Sequence, residues 1–171
     1  MSTWSGIRKK IENEYLAESL RGHIQYYVTT YSKSPDHNGR ASIRYDGKEI
    51  IKGSYWINNQ KIDSFLESKK SEKDPNVRKP FVDYIPYVSE VDTVDDTAIK
   101  LGIFDQTSFY QAFSIFDNQS IEDSLKSDNL IIKIFAILDR RVGKRRLIDI
   151  QKESDIFKEF YYIRAMAEKI I

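Results

Sequence analysis

The sequence predicts an α+β fold: an N-terminal helix on a three-stranded antiparallel meander, followed by a mainly helical C-terminal half. Three patterns support this prediction. Apolar residues recur at helical spacing near the start, side chains alternate with a period of two from residue 23 onwards, and helical spacing returns in the second half. With 171 residues, 40 % of them hydrophobic, the chain is long enough to bury one core.

The first helix is predicted to cover residues 4–20, with Thr3 as its N-cap and Gly22 ending it. A strand follows, because Ile24 and Tyr26 share one face while the residues between them share the other. A small sheet needs cover on one face, and we expect the first helix to supply that cover.

A hairpin is predicted around Asp46-Gly47, since this dipeptide favours the type I′ turn between two antiparallel strands. Its two-residue loop sets three cross-strand pairs: Tyr45 with Lys48, Arg44 with Glu49, and Ile43 with Ile50. An ion pair and an apolar pair then fall on opposite faces, as expected for a sheet that is buried on one side.

Changes in composition divide the chain into three parts. Residues 1–66 form the predicted subdomain of helix and meander, and residues 67–80, which are polar and contain two prolines, form an exposed linker. Residues 81–171 form the mainly helical subdomain. We expect the two subdomains to pack together as one folded unit.

The C-terminal half begins with a short predicted helix that ends at Gly102 and has Thr93 and Asp96 as its capping pair. A further helical turn is predicted to start at Ser120. Between them, one helix has four apolar residues at helical spacing: Phe109, Ala112, Phe113 and Phe116.

The most apolar segment is predicted to be the central helix of this half, over residues 130–142. Its apolar stripe consists of Ile131, Ile134, Phe135, Leu138 and Val142. Asp128 or Asn129 is its predicted N-cap, and Gly143 is predicted to end it in the left-handed conformation. A terminal helix is expected to pack on it and to bury Met166 beside its own apolar stripe.

Composition excludes several classes of protein. The 27 basic and 26 acidic residues give a formal net charge of +1, which provides no global attraction to nucleic acid or to an anionic membrane. The chain has no cysteine, which fits a reducing compartment. No stretch approaches the roughly 18 apolar residues of a membrane span, so we predict a soluble, cytoplasmic protein that does not engage a membrane.

Catalysis has little support in the sequence. The phosphate-binding and nucleophile motifs are missing, and the two histidines, His23 and His37, lie apart without a motif around either. We therefore predict no catalytic residue, no cofactor and no metal site. The acids Asp92, Asp95 and Asp96 leave one enzymatic alternative, a carboxylate-dependent hydrolase or nuclease, because carboxylate oxygens can hold Mg²⁺.

The strongest binding candidate is the basic segment, defined as residues 140–146. Its five cations are Arg140, Arg141, Lys144, Arg145 and Arg146. The first two lie at the predicted helix end, where the dipole favours cations, whereas the other three have no such structural explanation. The segment can face a partner protein or the acidic residues within 83–96. It can also bind phosphates while Tyr161 or Tyr162 stacks on bases.

These observations give three functional hypotheses. The first is a non-catalytic protein-interaction module, an accessory or neutralising partner of another bacterial protein. It is based on the two oppositely charged segments and on the 11 Tyr, 9 Phe and 2 Trp, since aromatic residues are enriched in interface cores. The second is nucleic-acid binding through residues 140–146, and the third is the hydrolase or nuclease. The sequence leaves the oligomeric state open.

Six motifs are spread along the chain. They are Trp4-Ser5-Gly6; Ile24-x-Tyr26; Gly39-Arg40; Asp46-Gly47-Lys48-Glu49-Ile50; Leu138-Asp139-Arg140-Arg141-Val142-Gly143-Lys144-Arg145-Arg146-Leu147; and Phe160-Tyr161 with Arg164 and Ala167-Glu168. Together they resemble an uncharacterised family of small bacterial proteins. The resemblance spans nearly the whole chain, implies no established activity and carries over no functional residue.

Overall fold

The structure, a computed structural model, describes residues 3–30, 33, 39–54 and 94–171. It confirms the predicted α+β fold, with an N-terminal helix, a three-stranded antiparallel sheet and a mainly helical C-terminal half. The predicted linker 67–80 and both subdomain boundaries beside it lie outside the described residues, as does His37. The division into subdomains therefore stays a prediction.

The described elements follow the chain in a simple order. The first helix is α1 (Trp4–Lys10), and the strands are β1 (Ile24–Thr29), β2 (Arg40–Tyr45) and β3 (Lys48–Gly53). The later helices are α2 (Asp96–Leu101), α3 (Gln106–Asn118), α4 (Ile121–Leu125), α5 (Leu130–Ile137), α6 (Lys144–Asp149) and α7 (Asp155–Ala167). Among the described residues, no helix is long and apolar enough to cross a membrane.

The first helix begins as predicted, because the Thr3 hydroxyl accepts the N–H of Gly6 at 3.3 Å. The prediction that it continues to residue 20 is wrong. After α1 the chain forms one π-helical turn (Ile11–Tyr15), becomes extended, and then makes a short 3₁₀ turn (Glu18–Leu20).

The break follows from a tertiary contact. The N–H of Ala17 donates to the carbonyl of Leu138 at 2.9 Å, and the N–H of Arg140 donates to the carbonyl of Tyr15 at 2.7 Å. These two bonds form a short antiparallel bridge between the N-terminal segment and the end of α5. Residues within the predicted helix are thus hydrogen-bonded to a distant part of the chain.

The sheet has the order β1-β2-β3 and contains the predicted hairpin. Both turn residues, Asp46 and Gly47, have positive φ angles of 47° and 80°, as a type I′ turn requires. The first two predicted pairs are confirmed, but the third is wrong because a bulge lies between Ile43 and Arg44. Ile43 faces Ile51 instead of the predicted Ile50, and both members of that pair are buried.

The end of β3 packs against the segment that follows α2. A Cβ atom added to Gly53 would lie 2.4 Å from the carbonyl oxygen of Phe104 and 2.7 Å from its ring. We expect Gly53→Ala to lower the free energy of unfolding by about 2 kcal/mol, measured by urea denaturation, because a backbone atom blocks the methyl group. Gly6→Ala serves as control, because the added Cβ at this exposed helical position meets only the Thr3 hydroxyl at an ordinary contact distance of 3.4 Å; it should be neutral or stabilising. Equal effects of the two substitutions would contradict the close contact.

Two acids at the start of the helical half have roles other than the predicted one. Asp95, rather than the pair of Thr93 and Asp96, is the N-cap of α2, since its carboxylate accepts the N–H of Ala98 at 2.9 Å. Asp96 instead accepts the N–H groups at the start of α7. Thr93 lies outside the described residues. The two carboxylates therefore hold the ends of two different helices.

The central helix is α5, which Asn129 caps as one of the two predicted candidates. Its predicted stripe is buried throughout. The ring of Phe135 packs at centroid distances of 5.6–5.8 Å against Tyr26, Phe109 and Phe116, so the core joins the sheet to the helices.

The predicted end of this helix is wrong. α5 ends at Ile137, and Gly143 has φ −75° and ψ 165°, an extended conformation that precedes α6. The prediction for α7 is correct in its packing on α5 and wrong for Met166, whose side chain is 51 % exposed.

Candidate binding groove

The basic segment begins in the turn between α5 and α6, and one buried carboxylate organises that turn. Asp139 is 0 % exposed and accepts hydrogen bonds from the Arg141 guanidinium at 2.7–3.1 Å. It also accepts the backbone N–H of Arg141 at 2.7 Å. The side chain of Arg141 is therefore folded back onto the residue two positions before it.

Two aromatic rings also contact the Arg141 guanidinium. The Arg141 guanidinium carbon lies 4.8 Å from the ring centre of Tyr15 and 5.4 Å from that of Phe116. The hydrogen bonds to Asp139 raise the pKa of Arg141 above its ordinary value. Although the Arg141 side chain is 39 % exposed, it is built into the fold.

A second arginine satisfies the carbonyls of this turn. Arg164 of α7 is 3 % exposed and donates to the carbonyls of Leu138, Asp139 and Val142 at 3.1–3.3 Å. This is the helix-end role that the sequence assigned to Arg140 and Arg141. Burial lowers the pKa of Arg164 from its ordinary value, while the nearby Glu168 acts against that shift.

The carboxylate that faces Arg164 links α7 to the N-terminal segment. Glu168 lies 3.1 Å from an Arg164 guanidinium nitrogen and accepts the hydroxyl of Ser19 at 2.8 Å. The turn after α5, the C-terminal end of α7 and the segment before β1 are thus connected by polar contacts on one side of the molecule.

These three segments enclose an open groove of about 540 Å³. The N-terminal segment contributes Ala17, Glu18 and Ser19, the turn contributes residues 140–144, and α7 contributes Arg164 and Glu168. Charges of both signs therefore line the groove, and two of them, Arg164 and Glu168, are paired with each other.

The structure divides the five predicted binding residues into two groups. Arg140, Arg141 and Lys144 line the groove, whereas Arg145 and Arg146 are exposed on α6 and are not part of its lining. Arg146 pairs with Glu122 of α4 at 2.8 Å. Arg140, Lys144 and Arg145 are exposed and form no ion pair with another described residue.

The position of these cations is unfavourable for local stability. α6 has no side-chain N-cap, and its first three residues are Lys144, Arg145 and Arg146. The positive end of the helix dipole disfavours cations there, typically by about 0.3–1 kcal/mol each. Helix stability therefore does not explain why basic residues occupy these positions.

The tyrosines that could stack on bases are not assembled at the groove. Tyr161 is buried, and the ammonium group of Lys152 lies 4.2 Å from its ring centre. Tyr162 is 45 % exposed. It lies two residues from Arg164, which places it on roughly the opposite side of α7 from the groove.

The acids predicted as a possible magnesium site are not free. Asp95 and Asp96 cap helices, and Asp92 lies outside the described residues. Within the described part of the chain, no three acidic or histidine side chains come close enough together to hold a metal ion.

Sequence reasoning missed the acidic and buried side of the groove: Glu18, Ser19, Arg164 and Glu168. One signal was present in the sequence. Arg164 and Glu168 are four residues apart, the spacing of a helical ion pair, and the arginine falls on the side of α7 that also carries the buried Tyr161. A cation on a buried face needs local partners.

The fold and the groove define a small α+β protein that presents a mixed-charge groove between its N-terminal segment and its C-terminal helices. The chain belongs to the SF0329 protein family, whose family model matches residues 3–165. Neither a curated protein nor a solved structure matches the chain.

Proposed function

We propose that this protein is a non-catalytic interaction module that binds a segment of another bacterial protein in the groove, in the cytoplasm. The observation that supports this proposal most is the groove's arrangement of charge. Arg140 and Lys144 are exposed on one wall, while Glu18 is exposed on the other. A peptide segment can place an acidic side chain against the first wall and a hydrogen-bond donor against the second.

The groove is also prepared for binding before a partner arrives. Its two walls are joined by the backbone bonds between the N-terminal segment and the end of α5. Its base is held by Arg164 and Glu168. Binding to fixed walls loses less conformational entropy than binding to mobile ones, so a modest contact area suffices for a specific complex.

Nucleic-acid binding is the alternative. The exposed Arg140, Lys144 and Arg145 favour it, because uncompensated cations attract phosphates. Against it stand the carboxylates of Glu18 and Glu168 on the groove lining and the distance of Tyr162 from that lining. A phosphate backbone meets repulsion from acidic groove walls, whereas a protein segment of mixed charge does not.

Reversing the two groove cations tests the proposal. Tagged protein is used to capture partners from a lysate of the source organism, and the captured protein is then titrated against wild type and Arg140→Glu plus Lys144→Glu. We expect the double variant to bind about 10-fold more weakly or worse, because an interface charge becomes repulsive. Lys9→Glu plus Lys48→Glu makes the same change in net charge at exposed lysines elsewhere and should bind like wild type.

Two results would contradict the proposal. Equal weakening by both double variants would show that net charge matters and that the groove does not. Binding of labelled RNA or DNA that falls steeply between two salt concentrations and is lost in Arg140→Glu plus Lys144→Glu would support the nucleic-acid alternative instead.

A further inference from the structure

The outward face of α7 carries an apolar pair that lies apart from the groove. Tyr162 and Met166 are 45 % and 51 % exposed, one helical turn from each other. Glu159 precedes them on the helix, and Lys169 follows in the turn after it; both are exposed. Neither charged side chain forms an ion pair with another described residue.

These side chains form one narrow stripe. At 100° per residue, Glu159, Tyr162 and Met166 fall within about 60° around the helix axis. The opposite side of α7 is buried against the core through Phe157, Phe160 and Tyr161. Asp155, which pairs with Lys100, lies on the same side one turn before Glu159. Along the axis the stripe therefore has two acids and then two apolar side chains, and Lys169 lies just beyond the helix end with a φ of 57°.

We propose that this stripe joins two copies of the protein, with the two α7 helices antiparallel about a two-fold axis at the level of residue 164. In that arrangement, residues equally far from 164 lie opposite each other. Tyr162 then faces Met166 of the second copy, and Glu159 faces Lys169 of the second copy. The surface is self-complementary, as a two-fold interface requires.

The chemistry of each pair is favourable. A thioether sulfur against an aromatic ring is an attractive contact, and the two-fold axis produces it twice. Glu159 lies about 12 Å along the axis from Ala167, the last helical residue, and Lys169 follows two residues later. The two-fold axis therefore produces an ion pair between Glu159 and Lys169 at each end of the apolar contact. The contact area is below that of a standard interface, which buries about 800 Å² per partner, so the dimer is a weak and reversible one.

The dimer leaves the groove accessible. Arg164 lies on the groove and Tyr162 on the other side of the same helix. The proposal is thus independent of the proposed function, and a dimer would present two grooves on its outer sides.

Sedimentation equilibrium over a range of protein concentrations tests the dimer directly. Wild type should show reversible monomer–dimer association, and Tyr162→Asp plus Met166→Asp should be monomeric throughout. Ile115→Asp, at an exposed apolar residue of α3, is the matched control and should associate like wild type. A monomeric wild type at every concentration, or association that the double variant retains, would overturn the proposal.

A charge exchange tests the antiparallel register. Glu159→Lys alone and Lys169→Glu alone each place like charges opposite each other, so each should weaken self-association several-fold. Mixing the two variants restores both ion pairs, and a heterodimer should form more readily than either homodimer. If the mixture associates no better than the separate variants, the proposed register is wrong.

Discussion

Arg141→Ala is expected to lower the free energy of unfolding by about 3 kcal/mol, although 39 % of this side chain is exposed. The substitution leaves the carboxylate of Asp139, which is 0 % exposed, without its guanidinium partner. It also removes the contacts of the guanidinium with the rings of Tyr15 and Phe116. Urea denaturation followed by tryptophan fluorescence and circular dichroism measures the change.

The neighbouring residue provides the control. Arg140 is also an arginine of the basic segment, but its side chain is exposed, and its backbone bond to Tyr15 survives truncation. Arg140→Ala should therefore change the free energy of unfolding by less than about 0.5 kcal/mol. If both substitutions have the same small effect, the pairing of Arg141 with Asp139 contributes nothing measurable. A double-mutant cycle of Arg141→Ala with Asp139→Ala measures the coupling energy between these two side chains.

This contrast separates two roles within the basic segment that look identical in the sequence. Arg141 stabilises the turn, while Arg140 and Lys144 are available to a partner at the groove. A loss of binding in Arg141→Ala would be accompanied by a loss of stability. A loss of binding in Arg140→Ala would not.

Patterns among residues close together in the sequence determine several elements of this fold, and these elements could be predicted. The helical spacing of Phe109, Phe113 and Phe116 locates α3, because an apolar stripe has to be buried. The Asp46-Gly47 turn fixes the hairpin, because few residue pairs adopt two successive positive φ angles. In both cases the residues that decide the structure are close together in sequence.

Two of the wrong predictions concern helix ends, and each of these ends depends on contacts with a segment that is distant in the sequence. The N-terminal helical segment ends at Tyr15, before the predicted residue 20, where Ala17 is hydrogen-bonded to Leu138. The helix α5 ends early where Arg164 donates to the carbonyls that follow it. Periodicity alone continues both helices, since the residues beyond each end are apolar at suitable spacings. Nothing near Leu16 or Leu138 in the sequence indicates that these two segments meet.

The candidate site also has a part that local sequence predicts and a part that depends on distant segments. The cations Arg140 and Lys144 could be named from the sequence because clusters of charge are visible along the chain. The acidic residues of the groove could not be named, because Glu18 and Glu168 come from segments 150 residues apart in the sequence. The acids within 83–92, which the sequence offered as partners of the basic segment, lie outside the described residues.

Arg164→Met should have the largest effect, a loss of about 4 kcal/mol in the free energy of unfolding by urea denaturation. Methionine fills similar space but donates no hydrogen bond, so the carbonyl of Val142 loses its donor. The carbonyls of Leu138 and Asp139 keep only one donor each, a backbone N–H. Each buried group without a partner costs about 1–3 kcal/mol. Glu168, which is mostly buried, also loses its cation.

Two further variants show whether the effect of Arg164→Met comes from the lost hydrogen bonds of a buried guanidinium. Arg164→Lys should recover less than half of the loss, because a single ammonium group cannot reproduce the planar fork that reaches several carbonyls at once. Arg146→Met removes an arginine from an exposed pair with Glu122 and should cost less than about 0.5 kcal/mol. A buried ion pair can be replaced by apolar residues without loss in some proteins. If Arg164→Met is as stable as wild type, water forms hydrogen bonds with the carbonyls of the turn in place of Arg164. The groove then does not need Arg164 to keep its shape.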